Sequence, residues 1–180
     1  MTTTETLQES KMMAEPQKEH HWLQRLVGEW TMEGEMTAEP GQPAWKSTGT
    51  ESVRSLGGLW IVAEGQSEWI VAEGQSEMPG GGPDTSMMTL GFEPRTGRFV
   101  GTYLASMMTH LWVYDGWLDA AERALTLEAE GPSMAGDGTM AKYRDVITLE
   151  SADHRVLTAH VLGDDGQWQQ FMTVHYRRTR

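Results

Sequence analysis

From Gly28 to the end of the chain, apolar and polar positions alternate with a period of two, interrupted at short intervals by clusters of turn-forming residues. In the first run Trp30, Met32, Gly34 and Met36 alternate with Thr31, Glu33, Glu35 and Thr37, the signature of a strand with one buried and one wet face. Pro40-Gly41-Gln42-Pro43 ends it. Comparable runs follow at Trp45 to Ser55, Leu59 to Glu64, Met87 to Phe92, Arg98 to Ala105, Met108 to Trp117, Ala124 to Glu130, Ala141 to Glu150, Arg155 to Leu162 and Trp168 to Arg177. The links between them, such as Pro94-Arg95-Thr96-Gly97, Gly136-Asp137-Gly138 and Gly163-Asp164-Asp165-Gly166, have the composition of tight turns. Ahead of Gly28, Trp22, Leu23, Leu26 and Val27 share one face of a short helix that the glycine stops. Residues 1–17 are polar and without period, which predicts a disordered leader. No helix is long enough for a parallel crossover, so the pattern predicts an all-β, antiparallel up-and-down barrel of about ten strands, closed to remove its edges.

One segment breaks the economy of this pattern. Trp60-Ile61-Val62-Ala63-Glu64-Gly65-Gln66-Ser67-Glu68 is repeated without change as residues 69–77. A single perfect copy of this length is a tandem duplication rather than a solenoid or propeller repeat. One long strand would place Trp60 and Trp69 on opposite faces and needs a matching extension in a neighbour. An added strand would reverse every later one and leave an odd count. Looping one copy out leaves the barrel untouched, since doubling a loop costs only ~0.6 kcal/mol. The expectation is therefore one copy in the barrel and the other looped out, where its apolar Trp-Ile-Val-Ala could serve as the contact of a homodimer.

Composition adds bounds rather than chemistry. At 180 residues, residues 18–180 suffice for a single domain with its own core, and the absence of cysteine removes disulfides, thiolate metal sites and thiol nucleophiles. The formal charge of −12 disfavours nucleic acid and anionic bilayers as partners. No apolar run approaches the ~18 residues of a membrane span, and the N-terminal residues lack the basic and apolar regions of a signal peptide. A cytoplasmic protein without a membrane partner is expected.

Leu26-Val27-Gly28-Glu29-Trp30, a helix end running through Gly-x-Trp into the first strand, resembles the signature at the closed end of calycin barrels, the group of lipocalins, fatty-acid-binding proteins and nitrobindins. In that group a basic residue of the last strand covers the tryptophan, a place that Arg177 and Arg178 could fill by stacking on Trp30 while donating to helix carbonyls. The chain from about residue 19 to 178 also resembles a bacterial family of uncharacterised domains grouped with the calycins. The matching stretches include His21-Trp22-Leu23, residues 47–58, residues 107–114, Lys142-Tyr143-Arg144-Asp145 and residues 167–172. That family's pattern holds one copy of the nonapeptide. The resemblance implies the barrel and brings no reaction or ligand. Nitrobindins hold haem through a C-terminal histidine, but here Phe171 takes that place and His175 alternates toward water, so no haem or other cofactor is expected.

Phe99 and Tyr103 on one strand, and Met108, His110, Trp112 and Tyr114 on the next, fall on inward positions and suggest an aromatic, methionine-rich ligand pocket. Tyr143 and Asp145 also point inward, the aspartate needing a partner from among Lys142, Arg144 and His110. Scattered methionines suggest adaptable packing rather than a metal site. Nucleophile-elbow, zinc-protease and phosphate-loop motifs are missing. These features favour a non-catalytic barrel binding a small apolar or amphipathic ligand. Two alternatives remain: an enzyme using His110 with Tyr143 or Asp145 as acid/base groups, and an interaction protein that oligomerises through the duplicated segment.

Overall fold

Each alternating run becomes a strand. In a computed structural model that describes residues 14–37, 44–71 and 83–180, a short helix α1 (Lys18–Gln24) precedes β1 (Gly28–Met36), β2 (Trp45–Leu56), β3 (Trp60–Val71), β4 (Pro83–Glu93), β5 (Arg98–Ala105), β6 (Trp112–Leu118), β7 (Ala124–Pro132), β8 (Met140–Leu149), β9 (His154–Leu162) and β10 (Trp168–Arg178). Every strand pairs antiparallel with its sequence neighbours, and β1 closes the sheet by pairing with β10 as well as β2. The ten strands of the expected barrel are present, and the even count lets it close antiparallel throughout. Most of the expected leader, residues 1–13, lies outside the described residues.

The helix closes one end. Gln17 N–H donates to His20 Nδ1 (2.9 Å), and the opposite ring nitrogen of His20 donates to the Phe92 carbonyl, which ties α1 to β4. Trp22, Leu23 and Leu26 are buried on the face that the spacing predicted, and Trp22 Nε1 donates to the Glu122 carbonyl at 2.7 Å. Beneath them Trp30, Val53, Ile61, Leu90, Phe99, Leu125 and Ile147 fill the barrel's lower half. On β1 the alternation is as read: Trp30 and Gly34 face in, whereas Glu29, Thr31, Glu33 and Glu35 face water.

Two elements depart from expectation. The run from Met108 to Trp117 becomes a strand only from Trp112. A turn closed by Met108 N–H on the Ala105 carbonyl (3.0 Å) makes residues 106–111 the connection between β5 and β6. The alternation of Met108, His110 and Trp112 imitated a strand, but Ser106-Met107 lacks the glycine or asparagine of a two-residue hairpin turn, so the chain needed more length.

The duplicated nonapeptide also behaves differently. The first copy is in the barrel, but the second is not wholly outside: β3 holds all of the first copy and continues through Trp69, Ile70 and Val71. Residues 72–77 lie outside the described residues. The extension, for which the sequence pattern offers no matching partner, finds one in β2, with Ser47, Lys46 and Trp45 opposite Trp69, Ile70 and Val71. On the other side β4 begins where the first copy ends, at the pair Glu68–Pro83. The duplication thus enters at the tip of the β3–β4 hairpin.

Candidate functional site

Above the packed base the barrel interior opens into a cavity of about 330 Å³. Its mouth lies at the end away from the helix. Around its upper part are Met36, Trp69, Met107, Met108, Trp112, Met134, Phe171 and Met172; deeper lie Glu51, Asp84, Ser86, Tyr103, Tyr114, Asp145 and Tyr176. All four tyrosines of the chain line it. The ring of Trp112 meets that of Tyr143 edge-on at 4.9 Å, and Tyr143 meets Phe171 in the same way at 6.2 Å. An aromatic wall therefore runs from β6 across β8 to β10.

Polar groups converge lower down. Tyr114 Oη donates to Asp145 Oδ2 at 2.5 Å. Burial raises the Asp145 carboxyl to about 6, partly offset by that hydrogen bond, and burial with the Asp145 charge pushes the Tyr114 phenol well above its usual value. Burial also pushes Tyr103 up to about 12, against a hydrogen bond to Ser86. Asp84 is buried and accepts from Ser106 Oγ at 2.7 Å, while Ser106 accepts from Thr85 N–H. Neither Asp84 nor Asp145 has a cationic partner among the described residues.

The third carboxylate, Glu51, has one. Arg155 Nη2 donates to Glu51 Oε2, and the guanidinium is sandwiched between the rings of Trp30 (4.6 Å) and Tyr176 (4.2 Å). With Arg155 only 5% exposed, this is an ion pair inside the barrel, and Arg155 Nε has no partner among the described residues. Sequence reasoning missed it. The signal was present: Arg155 is in phase with the inward Leu157 and Ala159, and Glu51 with the inward Val53, so both charges stood at core positions.

The other face of Trp30 is covered by Arg178, whose guanidinium lies 4.2 Å from the ring and donates to the carbonyls of Val27 (2.5 Å), Arg25 (2.8 Å) and Ala152 (3.0 Å). Arg177 faces water instead. Gly28 is required beside this seal: its φ is +141°, and a Cβ there would meet Arg178 Nη1 at 2.3 Å.

Of the residues expected in a pocket, Tyr103, Met108, Trp112 and Tyr114 line the cavity, as do Tyr143 and Asp145. Phe99 and His110 do not. Phe99 points inward but lies lower, packed on Trp22 and Phe92 in the base. His110 sits on the β5–β6 connection, where its Nε2 donates to the Glu130 carbonyl (2.9 Å) and its ring rests edge-on against Trp112. It is therefore not the partner of Asp145. Nor are the two basic candidates: Arg144 pairs with Glu128 and stacks on Trp168, and Lys142 is exposed. Tyr143 Oη donates to the Pro132 carbonyl at 2.6 Å. Phe171 lines the cavity, and His175 lies outside, stacked with His154. Among the described residues no group of three metal-ligating side chains converges.

A wider depression of about 590 Å³ lies outside, across β10, β1 and β2, where Glu33, Glu35, Lys46, Thr48 and Thr173 alternate outward. It is open to solvent and lined chiefly by strand-surface charges and hydroxyls, so the interior is the better candidate.

A family profile described as "Protein of unknown function (DUF1579)" matches residues 15–178. No protein of curated function matches the sequence. The crystal structure of Rv2717c from M. tuberculosis superposes with a TM-score of 0.57 at 14% identity, covering 92% of this chain and 100% of that one. A redesigned β-barrel, mFAP0, bound to DFHBI, superposes with a TM-score of 0.47 at 12% identity over 86% of this chain and 100% of its own. At 14% identity the likeness to Rv2717c is one of fold. Among the described residues no helix is long and apolar enough to cross a membrane.

Proposed function

The chain belongs to the DUF1579 family, and within that frame we propose that it is a non-catalytic barrel that binds one small amphipathic molecule in its interior. The observation that carries this is the cavity itself, about 330 Å³ of space left between the described side chains that line it. A barrel of this size could have packed to its rim, as its lower half does. The wall chemistry suggests the ligand. An apolar body fits among Met36, Met108, Trp112, Met172 and Phe171 near the mouth, where methionines adapt to shape and aromatic edges give orientation. The inner end is acceptor-rich, with Asp84 and Asp145 free of cationic partners among the described residues, so it suits a hydrogen-bond donor or an amine.

The catalytic alternative gains nothing from the geometry. His110, its intended base, donates to the Glu130 carbonyl and does not line the cavity, so it does not meet Tyr143 or Asp145. Native mass spectrometry of freshly purified protein, followed by denaturation of whatever is carried along, tests the proposal. One small molecule per chain is expected, or, by protein that arrives empty, stoichiometric uptake of the neutral apolar fluorophore prodan, which probes the aromatic upper part of the cavity, or of simple aliphatic amines, which probe its acceptor-rich inner end. A protein that carries nothing and takes up neither prodan nor simple aliphatic amines would sink it.

A further inference from the structure

We propose that the first residue of the second copy, Trp69, is part of the cavity wall and biases the site toward flat aromatic occupants. The inference rests on the binding function proposed above. Nine is odd, so a strand running through both copies turns equivalent residues to opposite faces. Trp60 lies outside, 40% exposed, with its ring over Gly91, whereas Trp69 faces in and lines the cavity. One sequence thereby serves two environments.

Trp69 has a defined seat. It stands opposite Ser47 on β2, and its Cη2 lies 3.3 Å from where a Cβ on Gly34 would sit. Ser47 is 2% exposed, and its hydroxyl has no partner among the described residues. The indole thus roofs a notch formed by Gly34 and Ser47 on two adjacent strands, at the end of the barrel that opens to solvent.

The single-copy chain can be written down without ambiguity, because removing residues 60–68 or 69–77 gives the same sequence. In it Glu68 is followed by Met78-Pro79-Gly80-Gly81-Gly82, which joins it to its β4 partner Pro83 as a short glycine-rich hairpin. The position opposite Ser47 then falls to Met78, and Pro79 lacks the N–H needed to continue pairing with β2. An indole gives way to a thioether. The duplication therefore exchanges a flexible wall for a rigid aromatic one and anchors it with three further positions on β2.

The test uses the full-length protein with prodan as probe and 5-fluorotryptophan incorporated, the ¹⁹F resonances being assigned by their loss in Trp69→Met, Trp112→Met and Trp60→Met. Prodan is expected to shift the Trp69 and Trp112 signals and leave Trp60 unmoved. Trp69→Met and the deletion of 69–77 should weaken prodan about three- to tenfold, to the same extent, while Trp60→Met binds as the parent does. Should the deletion fail to fold, the single substitution carries the comparison. Movement of Trp112 alone, with Trp69→Met binding at full strength, would overturn the inference and leave the cavity's binding role standing. Protein that carries no molecule and takes up neither prodan nor simple aliphatic amines, with both cavity signals still, would remove the binding function and this inference with it.

Discussion

Arg155 and Glu51 show how much one inward charge demands. Desolvating both ions costs several kcal/mol each, and only their mutual contact and the two flanking rings offset it. Glu51→Ala leaves Arg155 uncompensated and is expected to lower the stability measured by urea unfolding by about 3–5 kcal/mol. The double substitution Glu51→Leu with Arg155→Met should recover most of that loss, since a matched apolar pair carries no stranded charge. Asp145 makes a different prediction. Its carboxyl titrates near 6 in the folded barrel, above its ordinary 3.8, so the folded state holds the proton more tightly than the unfolded chain does. Stability contributed by the protonated form is complete below about pH 4 and is lost as pH rises to about 6, by roughly 2–3 kcal/mol. Asp145→Asn removes that slope, and the difference between the two unfolding curves across pH 4–7 measures it. A flat difference would mean that the carboxylate is better solvated than its position implies.

Between elements, close approach decides what a strand can carry. The ring of Trp112 crosses from β6 over Gly131 on β7, where a Cβ would meet the indole at 2.2 Å. Gly131→Ala must push the indole toward the cavity, so a loss of probe affinity is expected along with about 1–3 kcal/mol of stability, seen by prodan titration and thermal unfolding. The duplicated segment poses an energetic question at the same scale. Extending the β3–β4 connection from residues 78–82 to 69–82 is about one and a half doublings, or ~0.9 kcal/mol of closure entropy. Against this stand three positions paired on β2 and a half-buried tryptophan. These terms are similar in size, so deletion of 69–77 is expected to shift stability by less than about 2 kcal/mol. Looping out appeared favourable in the sequence because β2 was predicted from Trp45 but not aligned with β3. Pairing register is a property of two strands together, and no single run contains it.

Over the whole molecule, closure of ten strands leaves no edge, and the helix with the Arg178–Trp30 seal shuts one end. Opening should therefore be graded along the barrel axis. In hydrogen exchange, amides around Trp30, Leu90, Phe99 and Leu125 are expected to be the slowest, and those of residues 107–111 on the rim among the fastest; a uniform profile would contradict a packed base below an open mouth. The alternation from Gly28 onward was enough to determine strand number, antiparallel order and the inward face of most strands, because the two-residue period is a local consequence of the pleat. The Gly28–Trp30 signature likewise located the closed end and a basic partner for its indole. Height along the axis was not legible. Phe99 and Tyr103 share one inward face, yet one is core and the other cavity wall, and the difference is their distance from the helix plug. The same holds for His110, displaced by a turn, for Arg155 and Glu51, brought together from distant strands, and for Trp69, given a seat by β2. Local spacing fixes which way a side chain faces. Only the closed sheet, with its registers and its single plug, fixes what it faces.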